Sequence, residues 1–579
     1  MSDIERPWLA HYDPEVKPVL GYDFRPLPAF LDRAAERWPK RKAILFQNNS
    51  ITYAELKRLA ETVAAGLRAG GVRRGDRVAI MLPNSPQSIV SYWGALKAGA
   101  VVVMTNPLYM ETEMVHQFND SGAETLITLD LLWPKVEAVR KRVGIKRFYV
   151  SGMQDGLAFP LNWLYRLKSW REGARPRVPE NADVRPFREL LRGKARYSAE
   201  GVNPVRDTAL LQYTGGTTGV AKGCMLTHAN LVANIQQCRA VLHSLGAEHE
   251  TFLGIMPYFH IYGLTVCVNF PTLLGATMVP FPRYQPLDVL RAIDKIQPTI
   301  FPGAPSLYLS LMQQKQVGDF NLHSIKFCIS GSSPMPVEHI ERFRQLTGAD
   351  IIEGFGLSEA SPVTHLNPLR GVRKPGAIGV PFPDTDAKIV DMEVGGEGLP
   401  PGKLGELVIR GPQVMKGYWN RPDDTASVLR NGWLFTGDIA TMDEDGYFFI
   451  ADRKKDLIIS MGYNIYPREI DEVLCAHPDI KEAVAVGIPH GSRGEVVKAY
   501  VVLRPGASLE RCDVIAWCKE KLAGYKVPRL VEFRAELPKT LVGKVLRRAL
   551  RAEEEAKQRE RKSGTQRTEA SNACELRGE

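Results

Sequence analysis

The strongest constraint on this chain is an alternation. Over roughly the first 130 residues, short apolar runs take turns with segments of helical periodicity. Thr52 and Glu55 form a capping box, and Leu56, Leu59, Val63 and Leu67 follow at helical spacing. Residues 77–82 read as a short buried strand, 85–98 as a second helix and 101–105 as a second strand. A helix-like stretch at 110–119 leads into another apolar run at 124–129. Strands separated by helices are joined by crossovers, which argues an α/β domain with largely parallel pairing.

At 579 residues the chain exceeds what one hydrophobic core supports, so two or more domains are expected. Its 44% apolar and 24% charged content is ordinary for a soluble globular protein. The net charge of +10 is spread along the chain without a long basic block. That pattern speaks against a dedicated nucleic-acid surface and suits an anionic substrate, cofactor or membrane surface. The cysteines at 224, 238, 267, 328, 475, 512, 518 and 574 form no C-x-x-C pair, so free thiols in a reducing cytoplasm are expected. The start, Met1 to Pro7, lacks the basic-then-apolar run of a signal peptide. No uninterrupted apolar stretch reaches the ~18 residues needed to span a bilayer.

Further along, the rhythm changes. Residues 159–170 mix Phe159, Trp163, Tyr165 and Trp170 with Arg166 and Lys168, which suits either a membrane interface or an insertion packed on the surface. From 380 to 452, short strands divided by glycine and Asp-Gly turns make a β-rich subdomain. Asp452-Arg453-Lys454-Lys455-Asp456 reads as a solvated turn, a salt-bridged surface or a linker. A small α+β unit follows, with helices at 468–476 and 513–522 and strands at 483–488 and 496–503. The polar composition beyond Glu553 predicts disorder, taken from residue 551 to 579.

One loop carries more chemistry than the rest. Residues 213–223 read Tyr-Thr-Gly-Gly-Thr-Thr-Gly-Val-Ala-Lys-Gly. Gly215, Gly216 and Gly219 let backbone N–H groups turn toward an oxyanion, while Thr214, Thr217, Thr218 and Lys222 add donors. This is a polyphosphate loop without the G-x-x-x-x-G-K-[ST] spacing. Other motifs follow in order: Tyr258-Phe259-His260-Ile261-Tyr262-Gly263, Gly331-Ser332-Ser333-Pro334, Glu353-Gly354-Phe355-Gly356-Leu357-Ser358-Glu359, Trp433 to Asp438, Asp452 to Asp456, and Pro538 to Lys544.

In that order, from about Arg6 to Leu550, the motifs resemble the adenylate-forming superfamily of acyl-CoA synthetases, and within it the bacterial long-chain fatty-acid–CoA ligases. The resemblance implies a large N-terminal domain of α/β subdomains plus a β-rich subdomain (1–452), a hinge (453–456) and a small mobile α+β C-terminal domain (457–550). It implies ATP, magnesium and coenzyme A as cofactors and a fatty acid as substrate. The carboxylate attacks the α-phosphate of ATP, and the thiol of coenzyme A then displaces AMP.

By the same resemblance, Thr214 to Gly219 with Lys222 hold the β- and γ-phosphates, Thr218 lying at the reaction centre. Glu359 directs magnesium. Gly331, Ser332, Ser333 and Pro334 wall the adenine together with Glu353, Gly354, Phe355, Gly356 and Leu357, and Ser358 reaches the α-phosphate. Asp438 and Arg453 take the ribose, with Ile450 in the same nucleotide-binding set. Lys544 is the adenylation lysine. His260 flanks the acyl tunnel with Gly303, Gly331 and Gly354, Gly303 leaving room for the chain. Lys455 is the pivot whose rotation brings Ser460, Met461, Gly462 and Tyr463 to the site for coenzyme A. Relatives acting on aromatic acids or luciferin carry a lysine three residues before that glycine, where this chain has Ile459. The departure weakens an aryl-acid reading and leaves the thiol-activating group unassigned. An adenylating ligase for a medium-chain or aryl acid, or for a carrier-protein thiol, stays open as the alternative. A non-catalytic protein is argued against by intact Lys222, Glu359, Asp438 and Lys544. No motif decides between a monomer and the dimers common in the family.

Overall fold

The computed structural model describes residues 5–172, 176–192, 201–214, 221–246, 249–331, 335, 337–460, 463–490, 494–539 and 545–557. The alternation of the first third becomes a sheet of parallel strands. Arg77–Met81 lies at its centre, flanked by Val101–Met104 and Thr125–Leu129. Arg147–Ser151 and Val184–Pro186 extend one side in parallel, and Thr208–Thr214 joins the other. The chain then reverses, so Lys222–Thr227 and Gly417–Tyr418 close that side antiparallel.

A second sheet has a parallel centre of Asp350–Gly356, Phe327–Ser330, Ile300–Gly303, Thr251–Gly254, Thr277–Pro280 and Lys42–Phe46, in that order. One core cluster contains residues of both sheets. Helix Pro86–Lys97 contributes to it and is buried on every face, its polar Gln87, Ser88, Ser91 and Lys97 included. Ser85 caps that helix, and Asn84 just before it donates to the carbonyls of Gly254 and Met256 in the second sheet's connection, both at 2.9 Å. The Thr52–Glu55 capping box opens helix Tyr53–Ala69 as the sequence indicates.

The β-rich stretch forms an antiparallel sheet of Asp386–Val390, Gly405–Arg410, Trp433–Met442, Leu429–Arg430 and Phe448–Arg453. Beyond it, Ile480–His490 and Gly494–Leu503 pair over their whole length, with Ile458–Ser460 and Leu530–Phe533 beside the latter. Their side chains alternate between two faces, as strand geometry requires. Ala485, Val497, Ala499 and Val501 pack with Ile470 and Leu474 of helix Pro467–Cys475, whereas Val484, Val486, Tyr500 and Val502 pack with Leu550.

The second face corrects the expectation of a disordered tail starting at residue 551. Residues 547–557 are helical, and Glu554 accepts from Lys498 Nζ at 2.8 Å. Polar composition is compatible with order here because Lys498, pointing to that face, is 9% exposed in its side chain and takes Glu532 at 2.6 Å as well. Residues 558–579 lie outside the described residues.

Candidate active site

The phosphate-loop candidate is the tip of the hairpin in the first sheet. Thr214 ends one strand, Lys222 starts the next, and the two are register partners. Gly215, Gly216, Thr217, Thr218 and Gly219 lie outside the described residues. The adjoining strand Gly417–Tyr418 sets Tyr418 opposite Cys224. From there the Tyr418 hydroxyl donates to Glu359 Oε1 at 2.8 Å. The Lys222 ammonium lies 5.4 Å from the Tyr418 ring centroid and pairs with Asp424. Lys222 and Glu359, 137 positions apart by their numbers, thus meet on either side of one tyrosine. Burial, and then the neighbouring Glu359 carboxylate, push the Tyr418 hydroxyl far up, so it remains a donor.

Glu359 sits in the turn Ser358–Ala360, just after strand Asp350–Gly356. On that strand, Glu353 Oε1 accepts from Met335 N at 2.9 Å, and burial raises its carboxyl above the ordinary range. Phe355 stands edge-on to His365, ring centroids 6.0 Å apart, with a half-buried ring. Gly354 and Gly356 are required by packing within the chain: a Cβ on Gly354 would lie 2.7 Å from Leu366 Cδ1, and one on Gly356 2.3 Å from the Pro362 carbonyl. Ser332, Ser333 and Pro334 lie outside the described residues.

Tyr262 organises the neighbouring wall. Its hydroxyl donates to Ile329 O at 2.7 Å and Gly303 O at 3.1 Å, and Gly331 lies over its ring. His260 Nδ1 accepts from Tyr262 N at 3.2 Å, and burial pushes the imidazole down to about 4, so it is neutral at physiological pH. The expectation that Gly303 leaves room for an acyl chain meets a filled space. A Cβ there would sit 2.7 Å from Cζ of Tyr308, whose buried ring already takes the volume. Gly331 differs, since a Cβ would meet nothing closer than 3.5 Å.

Asp438 and Arg453 are register partners on adjacent strands, joined by an ion pair of 3.3 Å, with Asp438 buried. Ile450 lies on the same strand as Arg453, and its carbonyl accepts from the Arg468 guanidinium. Of the three readings of residues 452–456, the salt-bridged one describes the geometry. Asp452 and Asp456 are buried, and Lys454 pairs with Glu406 at 2.8 Å. Arg547 pairs with both Asp456 and Asp471, and Arg551 donates to the carbonyls of Lys455 and Asp456. Ser460 is a buried strand residue and Tyr463 is its register partner. Met461, Gly462 and Lys544 lie outside the described residues, although Lys539 and Val545 form a bridge across the chain that bears Lys544.

Sequence reasoning missed Tyr418 and Asp424. Their signal was available as an aromatic doublet before a proline-opened helix, Gly417-Tyr418-Trp419-Asn420-Arg421-Pro422-Asp423-Asp424. Among the described residues no group of three or more His, Cys, Asp or Glu side chains could hold a metal by itself. A single carboxylate is the donor set expected where magnesium takes its other ligands from phosphates and water, so Glu359 fits that ion.

The chain is similar to known proteins over nearly its whole length. Residues 31–419 match the AMP-binding enzyme family, and 469–544 match the AMP-binding enzyme C-terminal domain. The long-chain-fatty-acid–CoA ligase of Bacillus subtilis (strain 168) is 46% identical over 552 residues, spanning 95% of this chain and 98% of that protein. The long-chain-fatty-acid–CoA ligase of Escherichia coli O157:H7 is 38% identical over 572 residues, spanning 96% and 99%. The crystal structure of ATP-bound MatB from Rhodopseudomonas palustris is similar with a TM-score of 0.77 at 29% identity, spanning 91% of this chain and 98% of that one. Matched in both its parts and aligned with these ligases almost end to end, the chain belongs to the AMP-binding enzyme family.

Proposed function

We propose that the protein is a long-chain fatty-acid–CoA ligase that works through an acyl-adenylate. The observation that carries this reading is the meeting of Lys222 and Glu359 at Tyr418, beside the end of the hairpin strand that Thr214 closes. Two anions must approach one another here, so positioning and charge neutralisation matter more than proton transfer. Lys222, Thr214 and Thr218 take the β- and γ-phosphates, and Asp438 accepts from the ribose hydroxyls with Arg453 behind it. Glu359 would hold magnesium, which supplies charge neutralisation at the phosphates. A fatty carboxylate oxygen forms a bond to the α-phosphorus and pyrophosphate leaves. The neutral His260 offers the carboxylate a hydrogen bond without a full charge. Lys544 bridges the carboxylate and the α-phosphate. Rotation about Lys455 then withdraws it and presents residues 460–463 to coenzyme A, whose sulfur attacks the acyl carbon as AMP leaves.

Pyrophosphate release with palmitate, octanoate and 4-coumarate, with and without coenzyme A, tests the substrate class. A preference for octanoate or 4-coumarate refutes the long-chain reading, and acid-dependent release without a thioester points to a carrier-protein acceptor. Lys544→Ala is expected to abolish acyl-AMP formation and to spare thioester synthesis from supplied acyl-AMP. Normal adenylation by that variant refutes the role given to Lys544. The reading extends to a peripheral membrane contact. No helix among the described residues is long and apolar enough to cross a membrane. Helix Leu161–Arg171, however, has no buried residue and, with the residues just before it, exposes Phe159, Trp163 and Trp170 beside Arg166 and Lys168.

A further inference from the structure

The segment 415–425 makes contacts that the roles assigned above leave unused. Its backbone ties the Glu359 turn to the Lys222 strand: Met415 N donates to Glu359 O at 2.7 Å, Lys416 N to Met225 O at 3.0 Å and Trp419 N to Gly223 O at 2.8 Å. Helix Pro422–Val428 is locked onto this strand in turn. Tyr418 N donates to Thr425 Oγ1 at 2.9 Å, and Thr425 Oγ1 donates to Arg421 O at 2.8 Å. The approach is close enough to require glycine at 417, which has φ +146° and where a Cβ would lie 2.7 Å from Thr425 Cγ2. On the other side, Trp419 Nε1 and Arg421 both bond to Asp120, which also accepts from the Tyr213 hydroxyl at 2.7 Å. Two side chains of this braced segment reach the charged groups of the site, Tyr418 to Glu359 and Asp424 to Lys222.

We propose that Tyr418 and Asp424 are positioning residues for the triphosphate: Tyr418 fixes the Glu359 carboxylate, and Asp424 occupies the Lys222 ammonium until the phosphates replace it. The proposal rests on the reading of Lys222 and Glu359 as phosphate and magnesium residues. A carboxylate with one oxygen held by a half-buried tyrosine donor has fewer orientations to lose when it takes a hard cation. The Lys222–Asp424 pair is about one-third exposed on both sides, so it exchanges readily for a partner of higher charge. A triphosphate meets that condition and a monophosphate meets it less well. Asp424 therefore lowers affinity for nucleotides whose β- or γ-phosphate takes Lys222 and leaves AMP, which has neither, unaffected.

Calorimetric titration of the full chain with ATP alone, in magnesium and in EDTA, tests this without turnover. Tyr418→Phe is expected to shrink the gain in ATP affinity that magnesium confers by about tenfold, while the value in EDTA stays at wild type. Asp424→Asn is expected to tighten ATP binding several-fold in both buffers and to leave AMP binding unchanged, while Asp424→Glu stays near wild type. Equal losses for Tyr418→Phe in both buffers would mark a merely structural tyrosine and overturn its role. Unchanged or weaker ATP binding in Asp424→Asn overturns the placeholder role. Lys222→Ala separates the two levels. If it binds ATP as the wild type does, the phosphate-site reading itself fails; if it loses ATP while Tyr418→Phe and Asp424→Asn bind normally, only the positioning proposal fails.

Discussion

Gly303 ends one strand and Gly331 directly follows the end of its parallel neighbour, and the same substitution should act on them in opposite ways. Neither has a positive φ, so alanine is open to both backbones. At 303 the new methyl would overlap Tyr308, 2.7 Å from Cζ and 2.8 Å from the hydroxyl. That ring cannot yield easily, because it is fully buried and its hydroxyl donates to Phe301 O at 2.9 Å and Ile329 O at 3.1 Å. Overpacking of this kind costs about 1–3 kcal/mol. Loss of glycine's freedom in the unfolded chain returns about 0.4–1 kcal/mol. The expected net loss for Gly303→Ala is therefore about 0.5–2 kcal/mol. At 331 there is no overlap, so stability should stay level or rise by up to about 1 kcal/mol. The methyl would instead project toward the space assigned to the nucleotide and acyl group, where one extra carbon is worth about 1–3 kcal/mol, or roughly 10–200-fold in kcat/KM. Urea unfolding paired with kcat/KM for a series of fatty acids reads both quantities. A Gly331→Ala enzyme with reduced stability and unchanged kcat/KM would refute the reasoning, as would a Gly303→Ala enzyme of full stability.

Acid should weaken the large domain through its buried histidines. Burial lowers His228 to about 4, and the residue would titrate near 6.5 when unfolded, so the unfolded chain binds more protons between those values and stability falls as pH drops from 6.5 toward 4. His228→Gln should make that pH dependence shallower by about one proton in urea unfolding; an unchanged slope refutes it. Glu554→Gln removes one of the two carboxylates on buried Lys498 and should destabilise the C-terminal unit by ~1.5–3 kcal/mol, checked by its unfolding transition. A loss too small to measure would mean that Leu550, Arg547 and Arg551 suffice to dock the helix at 547–557. Reversing Arg166 and Lys168 to glutamate should weaken sedimentation with anionic vesicles and leave neutral vesicles unaffected. Unchanged binding removes helix Leu161–Arg171 from the membrane reading.

What the sequence disclosed and what it concealed divide along a physical line. The capping box at Thr52 and the helix that starts at Ser85 were legible because each depends on residues a few positions apart, and the parallel strands around Arg77–Met81 because helical segments separate their apolar runs. Family resemblance assigned Asp438 and Arg453 to one sugar but not to each other; the register of two adjacent strands pairs them. Asp424 escaped because its partner Lys222 lies 202 residues away and only the antiparallel closure at Gly417–Tyr418 joins them. Gly303 misled because a missing Cβ reads as space, and the sequence does not say that Tyr308 fills it. The helix at 547–557 was hidden by composition: its order comes from Lys498, on a strand some fifty positions earlier.

One consequence follows from how the cores are divided. The apolar cluster of the large part ends at Phe448, and those of the small part begin at Ile458, with no residue shared between them among the described positions. Across the boundary, Arg468 donates to the Ile450 carbonyl through its guanidinium and to Asp452 through its backbone N–H at 2.7 Å, contacts that water can replace. Among the described residues, a swing about Lys455 would therefore leave each buried apolar cluster whole. Its energetic barrier would be set by a few exchangeable hydrogen bonds, which lets reactants bias the equilibrium between the two orientations with modest differences in affinity.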